Sequence, residues 1–238
     1  MRHGSRIGVV IPALNEEGAI AKVLEDIPEW VDQTVVADNG STDRTGTIAQ
    51  GLGADVVSEP ERGYGAACQA GLRQLDETDI VVFLDADYSD RPGEMALIVD
   101  PIVNGDADMV IGSRVLGTAA PGALLAHQRF GNWLACVLMR VFWHTDHTDL
   151  GPFRAISSAA LKHLDMRDRA FGWTVEMQVK AAHQGLSALD VPVSYFPRIG
   201  TSKISGTVKG TVLAGSTILS IILRSAFLGP RARKKHLA

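Results

Sequence analysis

Asp85-Ala86-Asp87 sets two carboxylates one residue apart, directly after the apolar run Ile80–Leu84. On an extended turn, side chains at i and i+2 project to the same side, so both can reach one divalent cation. A hard cation such as Mg²⁺ or Mn²⁺ takes oxygen ligands and keeps positions open for phosphate oxygens. Asp-x-Asp alone is common on solvated loops. Its place just beyond an apolar strand makes a metal centre the stronger reading, because that is where a parallel sheet puts its ligand crevice.

Two more polar clusters follow apolar runs. Asn15-Glu16-Glu17 comes after Ile7–Pro12, and Asp38-Asn39-Gly40-Ser41-Thr42-Asp43 after Gln33–Ala37. The second supplies helix-capping oxygens, and Asp38 is also placed to accept hydrogen bonds from a base or ribose. Gly63-Tyr64-Gly65 opens a helix. It is not a dinucleotide fingerprint, because Cys68 fills the third small position and the motif lies outside the first strand–helix unit. A glycine loop that lets a sugar nucleotide approach at Gly63 remains open. His144-Thr-Asp146-His147-Thr-Asp149 carries metal-ligand residue types at short spacing. With Asp85 and Asp87 already assigned to the cation, a second metal there is the weaker reading.

Positioning these groups requires strands that alternate with helices. Short apolar strands are expected at Ile7–Pro12, Gln33–Ala37, Asp55–Ser58, Ile80–Leu84 and Met109–Gly112. Helical periodicity covers Asn15–Ile27, Thr42–Leu52 and Ala66–Leu75. Continuous apolar strands imply an α/β fold with a mostly parallel central sheet, covered by helices on both faces. Gly210–Leu223 is an uncharged stretch of 14 residues, short of the ~20 that span a bilayer. It reads as an in-plane or core helix. The aromatic set Phe130, Trp133, Phe142 and Trp143, bracketed by Arg129 and Arg140, reads first as core.

The 238 residues are 46% hydrophobic and 21% charged, which suits one sizeable core and excludes long disorder. Two cysteines, Cys68 and Cys136, make neither a disulfide framework nor a zinc site. No secretory signal is visible. The net charge of −4 conceals an asymmetry: eight of the 23 basic residues follow Asp190, and all 27 acidic residues precede or include it. The acidic body and basic C-terminal segment point to an anionic partner at that end, such as lipid headgroups.

Taken in order, Ile11-Pro-Ala-Leu-Asn-Glu-Glu17, Asp38–Asp43, Gly63-x-Gly65, Asp85-Ala-Asp87 and Gly112-Ser-Arg114 resemble family 2 glycosyltransferases. Within that family the chain is most similar to the dolichyl- and polyprenyl-phosphate mannosyl- and glucosyltransferases. The resemblance spans about residues 7–205 and implies a GT-A fold. It also implies inverting transfer of a hexose from GDP-mannose or UDP-glucose to a lipid phosphate, with Mg²⁺ or Mn²⁺ as cofactor. By that resemblance Pro12, Asn15, Glu16 and Asp38 line the nucleotide, with Gly63, Asp85 and Ala86 on the same donor side. Asp85 and Asp87 hold the metal. Ser89 stands where some members have a third ligand, and Asn39 where the family often has a second Asp. Asp149-Leu-Gly-Pro-Phe-Arg154 resembles the family's Ser-Gly-Phe-Arg segment, and Arg198-Ile-Gly-Thr-Ser-Lys203 its mobile phosphate-contacting loop.

The chemistry expected of these residues is charge stabilisation. Negative charge grows on the departing nucleoside diphosphate, and a cation with Arg198 and Lys203 offsets it. Arg114, Arg129 and Arg154 are candidates for the acceptor phosphate, Arg114 and Asp87 also for catalysis. A phosphate monoester has a second pKa near 6, so a dianion can attack without a base. A sugar-hydroxyl acceptor would need one, and Glu176 is then the candidate. The expected layout is a catalytic domain over 1–205, with 7–114 as nucleotide-binding half and 115–205 as acceptor half. Residues 206–238 follow as an amphipathic membrane-interfacial helix and basic tail. The expected location is the cytoplasmic face of a membrane, peripherally bound, with no nucleic-acid partner. Transfer to a soluble hydroxyl acceptor and a non-catalytic sugar-nucleotide-binding scaffold are the alternatives.

Overall fold

The computed structural model describes the backbone of residues 1–200 and 208–228, with side chains over 1–200 and 215–227. Seven strands form one sheet: β1 (Ile7–Ala13), β2 (Gln33–Asp38), β3 (Asp55–Ser58), β4 (Ile80–Phe83), β5 (Met109–Ala119), β6 (Arg154–Ser157) and β7 (Ala188–Tyr195). Their order is β3-β2-β1-β4-β6-β5-β7. Every neighbouring pair is parallel except those of β6, which runs antiparallel to both β4 and β5. The mostly parallel sheet is as expected; the reversed strand at its centre is not.

Among the described residues, eight α-helices accompany the sheet: α1 (Ile20–Glu25), α2 (Thr45–Gly51), α3 (Tyr64–Gln74), α4 (Met95–Val103), α5 (Ala126–Trp143), α6 (Ser158–Leu164), α7 (Trp173–Gln184) and α8 (Val208–Leu228). Alternation along β1 divides the core. Ile7, Val9 and Ile11 meet α1 and α4 on one face, while Val10 meets α3 and α7 on the other. A third cluster joins Cys136 and Met139 of α5, Val175 and Val179 of α7, and Ile222 of α8. Among the described residues, no helix is long and apolar enough to cross a membrane. Both cysteines are free and buried.

The helix expected from Asn15 starts only at Ile20. Asn15 has φ +53°, and the backbone N–H groups of Asn15 and Glu16 donate to Ser41 Oγ (2.9 Å) and Thr45 Oγ1 (2.8 Å). Residues 14–18 thus form an arch over the carboxyl ends of β1 and β2, and Glu16 is buried within it.

The glycine loop has a different reason from the one expected. A Cβ on Gly63 would lie 2.0 Å from the Arg169 carbonyl oxygen, and one on Gly65 2.0 Å from that of Asp168. Gly65 and Ala66 N–H groups donate to the Ala170 and Arg169 carbonyls at 3.1 and 2.9 Å. The glycines therefore admit the 168–170 segment, so a close approach of backbone accounts for both. Gly65→Ala is expected to cost about 2–3 kcal/mol, roughly 5–10 °C in Tm by thermal denaturation. An unchanged Tm would mean that the seam moves apart freely.

Candidate active site

The loop after β4 carries the carboxylates. Leu84 is fully buried and anchors Asp85, Asp87 and Asp90 against the interior. Burial raises the Asp85 carboxyl to about 7, and the Asp87 charge adds to the rise; Tyr64, Arg198 and Arg114 oppose it. Asp85 Oδ1 is buried without a hydrogen-bond partner. Asp87 Oδ1 accepts from Ser89 N–H (2.9 Å) and Ser89 Oγ (2.6 Å). Asp90 is buried with both oxygens unpartnered. Burial, reinforced by Asp85, pushes its carboxyl well above the ordinary range.

Two arginines offset this charge. Arg198 Nη2 donates to Glu16 Oε1 at 2.5 Å, and Nη1 stands 3.3 Å from Asp87 Oδ2. The strap that carries it is tied to the carboxylate loop by Ile199 N–H to the Asp87 carbonyl (3.0 Å) and Phe196 N–H to the Ser89 carbonyl (2.9 Å). Arg114 is held by Asp149, which accepts from its backbone N–H and Nε at 2.8 Å and from Nη2 at 2.6 Å. Burial works against the Arg114 charge, but Asp149 outweighs it and raises the guanidinium above its ordinary value.

These groups share one cavity of about 1420 Å³. One end is polar, with Glu16, Asn39, Arg62, Asp85, Asp87 and Arg198. The other is walled by Leu124, Phe130, Trp133, Val137, Leu150 and Ile218. Pro12, Gly63, Ala86, Arg114 and Arg129 also line it. The structure therefore brings together most of the residues the sequence singled out.

Several lie elsewhere. Asn15 and Asp38 sit behind the wall: Asn15 Oδ1 accepts from Thr42 N–H at 2.7 Å, and Asp38 Oδ1 from Ser41 N–H at 2.8 Å. Ser89 is buried with its hydroxyl and backbone N–H both given to Asp87, and it does not line the cavity. Arg154 is fully buried, with Nε and Nη1 donating to the Gly151 (3.0 Å) and Thr174 (2.9 Å) carbonyls. It braces the backbone before β6 and does not face the cavity, which corrects its assignment to the acceptor phosphate. Glu176 is likewise spent, on the Asp168 N–H (2.8 Å) and Lys180 Nζ (2.7 Å), which removes it as a base. Lys203 and the basic tail lie outside the described residues. The His144–Asp149 segment holds no metal cage: His147 pairs with Asp190 and Asp149 with Arg114.

Asn39, Arg62, Asp90 and His147 went unassigned by sequence reasoning. Asn39 donates to the Glu59 and Glu61 carbonyls and accepts from Gly63 N–H, so it fixes the loop that presents Arg62. Its place beside Asp38 was the available signal.

The sequence profile described as Glycosyl transferase family 2 matches residues 8–164. The chain belongs to that family. An uncharacterized glycosyltransferase of Mycobacterium tuberculosis is 37% identical over 89% of this chain and 95% of its own length. A dolichyl-phosphate hexose transferase of Haloferax volcanii is 30% identical over 91% and 94%. A solved structure of M. tuberculosis glucosyl-3-phosphoglycerate synthase with Mn²⁺, UDP and phosphoglyceric acid matches with TM-score 0.72 and 25% identity, over 92% and 79%. This transferase therefore has the GT-A fold expected of it.

The donor set fits a divalent ion. Among the described residues no three His, Cys, Asp or Glu side chains converge on a self-sufficient cage. Two carboxylates with room beside them suit Mg²⁺ or Mn²⁺, which complete their shell with water and phosphate oxygens. Proton competition at Asp85 has a consequence with a definite sign. Its carboxyl is raised from 3.8 to about 7, so between those values the folded chain holds a proton that the unfolded chain has lost. Stability of the metal-free transferase falls as pH rises through that window. Stabilisation by Mn²⁺ grows over the same window, because the ion must displace that proton, with affinity falling up to about tenfold per pH unit below the carboxyl pKa. Thermal shifts from pH 5.5 to 8.5 check this, and Asp85→Asn should abolish the dependence. A Mn²⁺ shift independent of pH would contradict it.

Proposed function

We propose that this transferase moves a hexose from GDP-mannose or UDP-glucose to a polyprenyl or dolichyl phosphate at the cytoplasmic face of a membrane, using Mg²⁺ or Mn²⁺. The observation that carries this reading is the two-ended cavity. Its carboxylate end suits a metal-bound diphosphate, and its other end is apolar and continues to the surface. There Phe130 and Trp133 are 61% and 57% exposed, beside Arg129 and Arg140. Large aromatics left in contact with solvent at a cavity rim are costly unless an apolar partner covers them. Flanking arginines suit the anionic headgroups that would surround such a partner.

Asp85 and Asp87 would hold the ion, which supplies charge for the departing diphosphate. Arg198, already between Glu16 and Asp87, is placed to meet the same diphosphate. Arg62 stands at the donor mouth. Arg114 keeps Nη1 free of protein partners among the described residues, and with Arg129 it would hold the acceptor phosphate. The Haloferax volcanii relative, whose name specifies dolichyl phosphate, supports this acceptor class. The solved phosphoglycerate complex favours a second reading, in which a small phosphorylated hydroxyl compound takes the sugar.

The test is transfer of labelled hexose into a polyprenyl phosphate in detergent, from each donor separately, with and without Mn²⁺ or Mg²⁺. Metal-dependent label in an acid-labile lipid product is expected, reduced at least about 100-fold by Asp87→Ala. Label appearing only in 3-phosphoglycerate would overturn the lipid acceptor. Phe130→Asp with Trp133→Asp should raise the KM for the lipid while leaving the donor KM unchanged, read from initial rates at saturating co-substrate.

A further inference from the structure

His147 lines the same cavity, yet nothing above uses it. It is 5% exposed, and its Nδ1 lies 3.0 Å from Asp190 Oδ1. Asp190 is itself fixed: its other oxygen accepts from Thr148 N–H (2.6 Å) and Thr148 Oγ1 (2.7 Å). Thr148 Oγ1 is in turn 2.7 Å from Ser113 Oγ of β5. Burial alone would raise the Asp190 carboxyl, but the hydrogen bonds it accepts from His147 and Thr148 bring it below its ordinary value.

An ionised carboxylate on Nδ1 sets the tautomer. The Nδ1 proton is held by Asp190, and the lone pair of the neutral ring is on Nε2. Nε2 has no protein partner among the described residues. A buried imidazole oriented by a buried carboxylate, with the basic nitrogen left for the cavity, is the arrangement of a general base. Arg114 of β5, Asp149 of the same segment, and Cys136 and Arg140 of α5 line the same cavity.

We propose that His147 is the catalytic proton acceptor for the sugar acceptor, with Asp190 as its positioning residue. The inference rests on the transferase reading of the cavity. An acceptor that enters protonated, a phosphate monoanion or a hydroxyl, must lose that proton as its oxygen bonds to C1. Nε2 takes the proton from the P–O–H group. The freed oxygen forms a bond to C1 of the donor hexose, and the bond from C1 to the diphosphate oxygen breaks. That electron pair leaves with the nucleoside diphosphate, and the imidazolium returns its proton to solvent.

The experiment compares wild type, His147→Ala, His147→Gln and Asp190→Asn in metal-dependent transfer. Nucleoside diphosphate affinity and Tm are measured alongside. His147→Ala should lose about 100-fold or more in kcat, with donor affinity unchanged, and added imidazole should restore much of the rate. His147→Gln keeps a hydrogen-bonding side chain and the fold, and should be equally slow. Asp190→Asn should retain part of the rate, with its pH profile displaced relative to wild type. A folded His147→Gln within about threefold of wild-type kcat overturns the proposal. So does a folded His147→Ala whose lost rate imidazole does not recover. If wild type labels only a soluble hydroxyl compound, the lipid reading fails independently. His147 is then scored on that acceptor, where the loss should be larger because a hydroxyl does not shed its proton unaided.

Discussion

Excess negative charge at the carboxyl end of β4 is the constraint around which the rest of this structure is arranged. Asp85, Asp87 and Asp90 follow one apolar strand within six residues, and each is largely withdrawn from water. Uncompensated carboxylates in such a place are expensive, and they either hold protons or find cations. The nearby cations are already shared. Arg198 divides itself between Asp87 and Glu16, and Arg114 is committed to Asp149. Under the proposed function, a divalent ion with its diphosphate would balance the carboxylate charge that remains.

The reversed strand β6 makes the second half of the site. By running antiparallel between β4 and β5, it draws residues 144–153 across the carboxyl end of β5. Arg154 binds backbone carbonyls on either side of this crossing, so its charge shapes the chain instead of meeting substrate. Asp149 can then fix Arg114, and Thr148 can fix Asp190. Asp149 and Arg114 bury one another, so removing either would leave an uncompensated charge inside the protein. The same crossing sets α5 beside the cavity and exposes its aromatic residues at the rim.

Much of the carboxylate end of the cavity was legible in the sequence, because parallel strands put polar residues at predictable places. Asp85, Asp87, Pro12 and Glu16 each fall at the end of an apolar run and line the cavity. The wall built by residues 144–154 was less legible. Asp149 and Arg114 are 35 residues apart in sequence, His147 and Asp190 43, and no local periodicity records a pairing made by tertiary crossing. Gly63 and Gly65 were ambiguous for a related reason: a glycine signals close approach without saying whether a ligand or another backbone arrives. Asn15 and Asp38 carry residue types suited to a nucleotide, and the arch takes one side-chain oxygen of each, from Thr42 N–H and Ser41 N–H.

One cavity joins the carboxylates proposed to hold the metal to an apolar wall, and Arg198 stands against Asp87. Anomalous diffraction from crystals grown with Mn²⁺ and a nucleoside diphosphate tests this most directly. The account predicts a manganese peak within coordination distance of both Asp85 and Asp87, with Arg198 drawn from Asp87 to the diphosphate. A peak away from these carboxylates, or a diphosphate bound with the Arg198–Asp87 contact unchanged and no metal present, would contradict it.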